Sequence, residues 1–436
     1  MTNYALLASA AESFVLKGDI VYCKGPQELV SVEGGYLVCV EGRSQGVFEQ
    51  LPERYSGLPL RDWSGKLVIP GLIDLHTHAP QFAFRGIGMD LELLDWLQTY
   101  TFPEEARYRD LAYAREAYEA FVRELVHGAT TRAVVFATVH VPATMLLMEL
   151  LEASGLITMV GKVNMDRNAP DNLSELDAKS SLAATRAWLD EACRREFKRT
   201  LPILTPRFVP SCSDELLAGL ADAQRQYELP VQSHLSENPA EIRWVAELRP
   251  DARCYADAYL RSGLLGGAGC PTIMAHCVYT DPDEAALLKQ REVYVAHCPT
   301  SNTCLASGIA PVREFLVAGM RVGLGTDVAG GYSPSMLHAV AEAVKVSKLR
   351  WRLVDQCAPP LTVTEAFYLA TRGGGSFWGE VGSFEPGFEF DAVVLNDDDL
   401  PQACADTLAS RLERLIYLDA GSRVLEKYVA GTRIGL

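Results

Sequence analysis

The sequence predicts an α/β fold: a (β/α)8 TIM-like barrel over residues 70–384, with a small β-sandwich domain built from both chain ends, 1–69 plus 385–436. Three observations predict it. Eight short apolar runs alternate with longer helical-period segments through the middle of the chain. Both ends carry short β-like runs punctuated by glycine. The chemically useful side chains collect at the C-terminal ends of the inner runs.

The end unit comes first in the chain. GDIVYC, YLVCVEG and GVFEQL are β-like, with Gly34-Gly35 and Gly42 as turn signals, and FDAVVLND and RVLEKYVAGTRI restore that character near the C-terminus. Neither end looks like a complete domain, so a small β unit assembled from both is expected.

The inner runs are KLVIPGLIDLHTH, ATTRAVVF, LITMVGKVNM, LPILTPRFVPS, LPVQSHLSE, PTIMAHCVY, EVYVAHCPTS and MRVGLGTD. Near-continuous apolar strands separated by helices imply a parallel sheet covered on both faces. Helix starts support the alternation. Asp281-Pro282-Asp283-Glu284 offers an N-cap, a proline at the first helical position and an acid three beyond the cap, and Thr362-Val363-Thr364-Glu365 repeats the capping-box pattern before AFYLAT. A doubly wound open sheet is the alternative, but no glycine-rich phosphate fingerprint follows the first run.

Polar residues close nearly every run: His76 and His78 the first, Arg207 the fourth, His234 and Glu237 the fifth, His276 the sixth, His297 the seventh, Asp327 the eighth. Barrel enzymes build their sites at that face. His76 and His78 are two apart on a strand, so both imidazoles face one side. With His234, His276 and Asp327 they make a candidate set for a divalent metal, since imidazole and carboxylate donors suit zinc or another first-row ion. Five unrelated histidines and acids would have to fall at strand ends by coincidence otherwise. His127, His140 and His338 lie in predicted helices or peripheral turns and read as solvated or structural.

Bulk properties narrow the partners. The chain has 436 residues, 48% hydrophobic and 22% charged, enough for one large domain and a smaller one. A net charge of -16 argues against a phosphate-neutralising surface, hence no nucleic-acid partner. No apolar run is long enough to span a bilayer, so no membrane partner is expected. The start MTNYALLASAAESF lacks a basic region followed by a long apolar core, so it is a poor signal peptide. Eleven cysteines from Cys23 to Cys404 form no Cys-x-x-Cys pair and read as reduced thiols, which makes the cytoplasm the expected location.

PGLIDLHTH, SHLSE, MAHC and LGTD resemble, in order, the strand ends of the amidohydrolase superfamily. Two-metal members of that superfamily carry a bridging lysine carbamate on the fourth strand. Here that strand reads ILTPRFVPS, and Lys162 stands in the third run, so one metal is expected. LHTHAPQFAFRGIGMDLELLDWLQTYTFPEE, GKVNMD, PRFVPSCS, SHLSEN, HCPTSN and GTDVAGGYSPSML are similar to the guanine deaminases within it, most specifically in HAPQ at 78–81, WLQTYTFP from Trp96 to Pro103, and Arg207-Phe208.

The resemblance implies hydrolytic deamination of guanine to xanthine and ammonia, by a water activated on the metal. It assigns His76, His78, His234, His276 and Asp327 to the metal, with Asp327 also accepting the proton of the attacking water. Glu237, three residues after His234, is the expected proton donor to a ring nitrogen and then to the departing ammonia. Gln81, Arg207 and Phe208 are implied as purine contacts. Gln81 offers a donor and an acceptor, Arg207 a planar fork for a carbonyl, and Phe208 a stacking face, although strand alternation would turn Phe208 away from Arg207. His297 stays outside the metal set. A homodimer is implied by resemblance alone. The competing readings are an aminohydrolase of another aminated heterocycle (8-oxoguanine, cytosine or a triazine) and a non-catalytic scaffold. The Gln81 and Arg207-Phe208 set speaks against the first, and retention of every expected ligand against the second.

Overall fold

The computed structural model describes residues 12–267, 269–401, 407–418 and 423–435. The first eleven residues, most of the stretch weighed as a signal peptide, and Cys404 lie outside them. The β-like ends do pair with each other. Phe14–Gly25, Glu28–Val40, Arg43–Phe48 and Leu60–Pro70 join Ala392–Leu395, Val424–Val429 and Thr432–Ile434 in one seven-stranded hydrogen-bonded sheet. The joint is the antiparallel pairing of residues 67–70 with 392–395. Side-chain alternation gives this sheet two apolar faces. Val68 and Val394 pack with Phe14, Phe390 and Tyr428, whereas Leu67, Ile69, Val393 and Leu395 belong to the large core of the chain. Phe14 meets Phe390 edge-on at 5.1 Å and stacks on Tyr428 at 4.9 Å.

The inner runs form two four-stranded parallel sheets, each in chain order. One holds Leu72–His78, Thr130–Phe136, Ile157–Gly161 and Thr200–Pro202; the other holds Val231–Leu235, Thr272–His276, Tyr294–His297 and Arg321–Leu324. A few isolated backbone contacts bridge the seams. Leu204 pairs with Val231 on one side, and on the other Asp327 N donates to His76 O at 2.8 Å while His78 N donates to Val328 O at 3.1 Å. Ile73, Leu75, Val134, Met159, Ile203, Ile273 and Ala296 fill the interior between the sheets.

Helices follow most of these strands and cover their outer side, as local signals require. Asp281 caps Pro282–Gln290 by accepting from Glu284 N, and Thr362 and Glu365 cap each other's backbone at the start of Val363–Tyr368. No described helix is long and apolar enough to cross a membrane.

Two buried cations tie the end sheet to the inner strands. Arg132, on the second inner strand, donates to Asp391 at 2.6 Å and to Glu389 at 2.7 Å. Lys427 donates to the carbonyls of Leu125, Val126 and Thr130. The two carboxylates offset the buried Arg132 charge, whereas burial lowers the Lys427 ammonium to about 7.

Candidate active site

The site is built by strands that stop at the right residue and then turn. The first inner strand carries one extra residue relative to its neighbour between Asp74 and Thr77. A bulge re-aims the side chains beyond it, so His76 and His78 face the same interior as Leu75. The fifth and eighth strands end in left-handed residues, Ser236 at φ 48° and Asp327 at φ 48°, and the sixth in His276 at φ 74°. Such conformations cost about 1–3 kcal/mol each in residues with a side chain and collect where function requires them.

The ends converge. His76 Nε2 and His78 Nε2 are 3.2 Å apart, and His234 Nε2 lies 3.2 Å from His78 Nε2. Asp327 Oδ1 is 3.1 Å from His76 Nε2 and 3.3 Å from His78 Nε2. His276 Nε2 stands 3.8 Å from Asp327 Oδ2 and 3.3 Å from Glu237 Oε2, at the edge of the cluster nearest the glutamate. All of these side chains are buried or nearly so.

Protonation and hydrogen bonding make this cluster rich in lone pairs. Burial depresses the basicity of His76, His78 and His234, His78 down to about 4, so the rings are neutral at pH 7. His234 Nδ1 faces the Arg207 carbonyl at 2.6 Å and His276 Nδ1 faces Asn302 Oδ1 at 2.8 Å. Both acceptors require a proton on Nδ1, which leaves each Nε2 a free lone pair. Burial would raise Asp327, but a proton shared with the His76 or His78 ring holds it well below the usual carboxylate range. Electron-rich atoms packed at 3.1–3.3 Å repel unless a cation sits among them. Ligands bonded to zinc at about 2.0–2.1 Å in a tetrahedron lie about 3.3 Å from one another. The donor set therefore fits a first-row divalent ion.

Above the cluster opens a pocket lined by His78, Gln81, Leu93, Trp96, Leu97, Arg207, Phe208, Glu237, Glu241 and Asp327 among others, a mostly apolar wall with a few convergent polar groups. Arg207 and Phe208 both line it, which resolves their expected conflict. Strand pairing stops at Pro206, and Phe208 is extended at φ -170° before a tight turn over Val209–Ser211, so strict alternation no longer applies. The segment after the first strand supplies Leu93, Trp96 and Leu97 and roofs the pocket.

Glu237 is fixed by two contacts: Ser307 Oγ donates to its Oε1 at 3.0 Å, and its Oε2 faces His276. Burial first, and the Asp327 charge second, push its carboxyl above the usual range, toward the protonated form. Glu241 lies close behind, its Oε2 accepting from the Glu237 and Asn238 amides.

The remaining expectations are also located. His297 opens on a separate cavity that Val312, Arg313, Val346 and Arg350 also line, and does not line the pocket above the cluster. His127, His140 and His338 are likewise outside the pocket, and buried Lys162 pairs with Glu175. Sequence reasoning missed Glu105, Glu241, Asn302 and Ser307. Glu241 was visible as a capping-box acid after Asn238, which gives no hint of a pocket. Glu105 in FPEEAR looks no different from Glu104.

Comparison with known proteins adds to this geometry. The sequence profile described as Amidohydrolase family matches residues 67–432. A probable guanine deaminase of Schizosaccharomyces pombe is 42% identical over 78% of this chain, which spans 65% of that protein. Guanine deaminase of Mus musculus is 37% identical over 92% of this chain and 90% of its own. The crystal structure of guanine deaminase from C. acetobutylicum with bound guanine in the active site superposes with a TM-score of 0.93, at 42% identity, over 97% of this chain and all of that one (100%).

Proposed function

Since the chain belongs to the amidohydrolase family, we propose that it hydrolyses guanine to xanthine and ammonia. One observation carries the reading. A lone-pair-rich cluster of histidines and one aspartate floors a pocket whose polar walls, Gln81 and Arg207, suit an oxopurine edge. The enzyme is a metal-dependent hydrolase. His76, His78, His234, His276 and Asp327 would hold one divalent ion, zinc in this reading, and His276 also stands beside Glu237. The chemistry supplied by a bound ion of this kind is a water whose pKa falls to about 7, a nucleophile at neutral pH.

The chain's own residues do the rest. Asp327 accepts the proton of the water that adds to C2. Glu237 gives its proton to the ring nitrogen beside C2; the proton taken up by Asp327 then passes to the amino group, which leaves as ammonia, while the added hydroxyl returns its proton to Glu237 as the new carbonyl forms. Arg207 donates to the carbonyl oxygen on C6, Gln81 binds the polar edge, and Phe208 covers the ring. Leu93, Trp96 and Leu97 keep bulk water from the reacting face.

The finer architecture goes with this reading. The two parallel sheets are read as halves of one (β/α)8 barrel over 70–384, supported by the seam contacts, and the seven-stranded sheet as the frame of the small β domain of 1–69 and 385–436, supported by the joint between chain ends; its closure into a sandwich belongs to the same proposal. A homodimeric, cytoplasmic enzyme of purine breakdown is the matching assignment for assembly, location and pathway. Ten free cysteines among the described residues support a reducing compartment.

The test is ammonia release from a panel of guanine, 8-oxoguanine, cytosine and an aminotriazine. Guanine is expected to lead in kcat/KM by at least about 10²-fold, because a pocket built around specific polar edges rejects rings that leave them unpaired. Zinc-loaded protein silent on guanine would remove the substrate assignment.

A further inference from the structure

Glu105 lies behind the pocket wall, touching both groups that face the purine edge. Its Oε1 accepts from Gln81 Nε2 at 2.9 Å, and its Oε2 accepts from Arg207 Nη1 at 2.5 Å. Glu105 is buried and does not itself line the pocket. Phe102, one helical turn earlier, places its ring 5.1 Å from the Arg207 guanidinium. Gln81 Oε1 accepts from Ala329 N at 3.1 Å, so its amide is clamped from both ends. Both planar groups are therefore oriented before a ligand arrives, and Arg207, the one Lys or Arg of the wall among the described residues, is already neutralised.

Resting on the guanine reading, we propose that Glu105 is a positioning residue that makes the pocket select a neutral oxopurine and release its more acidic product. The second ring carbonyl of xanthine withdraws electrons and makes that ring more acidic than guanine, so part of the product is an anion near neutral pH. A buried, unpaired arginine would hold that anion tightly, because a buried charge seeks the nearest opposite one. Paired with Glu105, Arg207 offers N–H donors to a neutral carbonyl and no net charge to an anion. The other titratable groups whose charge Glu105 influences are Tyr108, Tyr118 and His140; burial raises both phenols and keeps His140 neutral. Arg207 is thus the only cation directly on Glu105 among the described residues.

The experiment compares guanine KM with the competitive Ki of xanthine in zinc-loaded wild type, Glu105→Gln and Glu105→Asp. In Glu105→Gln the ratio KM/Ki is expected to rise about tenfold, and further as pH increases the anionic fraction of xanthine. Glu105→Asp keeps the charge on a shorter arm, so turnover should fall while the ratio stays near the wild-type value. A purely structural role would weaken guanine and xanthine in parallel. That outcome, or an equal ratio shift in both variants, overturns the proposal. Should Glu105→Gln fail to fold, wild type alone still decides. Its Ki for xanthine should rise with pH relative to that for hypoxanthine, an oxopurine that stays neutral to higher pH, and a flat or falling relative Ki overturns the proposal. Wild type inert on guanine would instead sink the substrate assignment on which this rests.

Discussion

Replacing Glu237 by glutamine is expected to lower kcat for guanine by about 10²- to 10⁴-fold while metal content stays at the wild-type level. The separation of the two effects follows from where the carboxyl sits. Its nearest polar neighbours are Ser307 Oγ and His276 Nε2, not the tight group formed by His76, His78, His234 and Asp327. Glutamine has the same reach and keeps a partner for Ser307, so the pocket should hold its shape. What it lacks is an acidic proton. Burial and the Asp327 charge favour the protonated carboxyl at rest, the form a proton donor needs when water adds to the ring. Steady-state kinetics with elemental analysis check this, and a variant within a few-fold of wild type would reject the role.

Asp327→Asn should be at least as damaging, about 10³-fold or more in kcat/KM, and differently so. The carboxylate supplies the only negative charge in the tight group and the base for the attacking water. Asparagine tolerates the left-handed backbone at φ 48°, so the turn itself should survive. Metal affinity and rate should both fall. Excess zinc should then restore occupancy without restoring turnover, because the base is still missing. Recovery of rate along with occupancy would confine Asp327 to holding the ion.

Much of this site was legible in the sequence, because a parallel α/β chain places its functional groups at strand ends. His76, His78, His234, His276 and Asp327 each close an apolar run, and all converge. What the sequence could not show was decided by backbone irregularity or by contacts distant in the chain. Alternation correctly put His76 and His78 on one side, but only the extra residue after Asp74 makes that side the interior. The same rule set Phe208 against Arg207, because nothing in PRFVPS marks the strand as ending at Pro206. His297, expected to stay outside the metal set, ends a strand as the others do yet lines a different cavity. Glu105 and Ser307 act across 102 and 70 residues, on Arg207 and Glu237, a separation no local pattern records.

The central claim is that one ion, held among neutral imidazoles and a carboxylate, enables hydrolysis of guanine. Titrating chelator-treated protein with zinc while following ammonia release tests it most directly. Activity should be absent at the start, rise in proportion to added metal, and level off at about one equivalent per chain. Full turnover by the metal-free protein, or a plateau only at two equivalents, would contradict it.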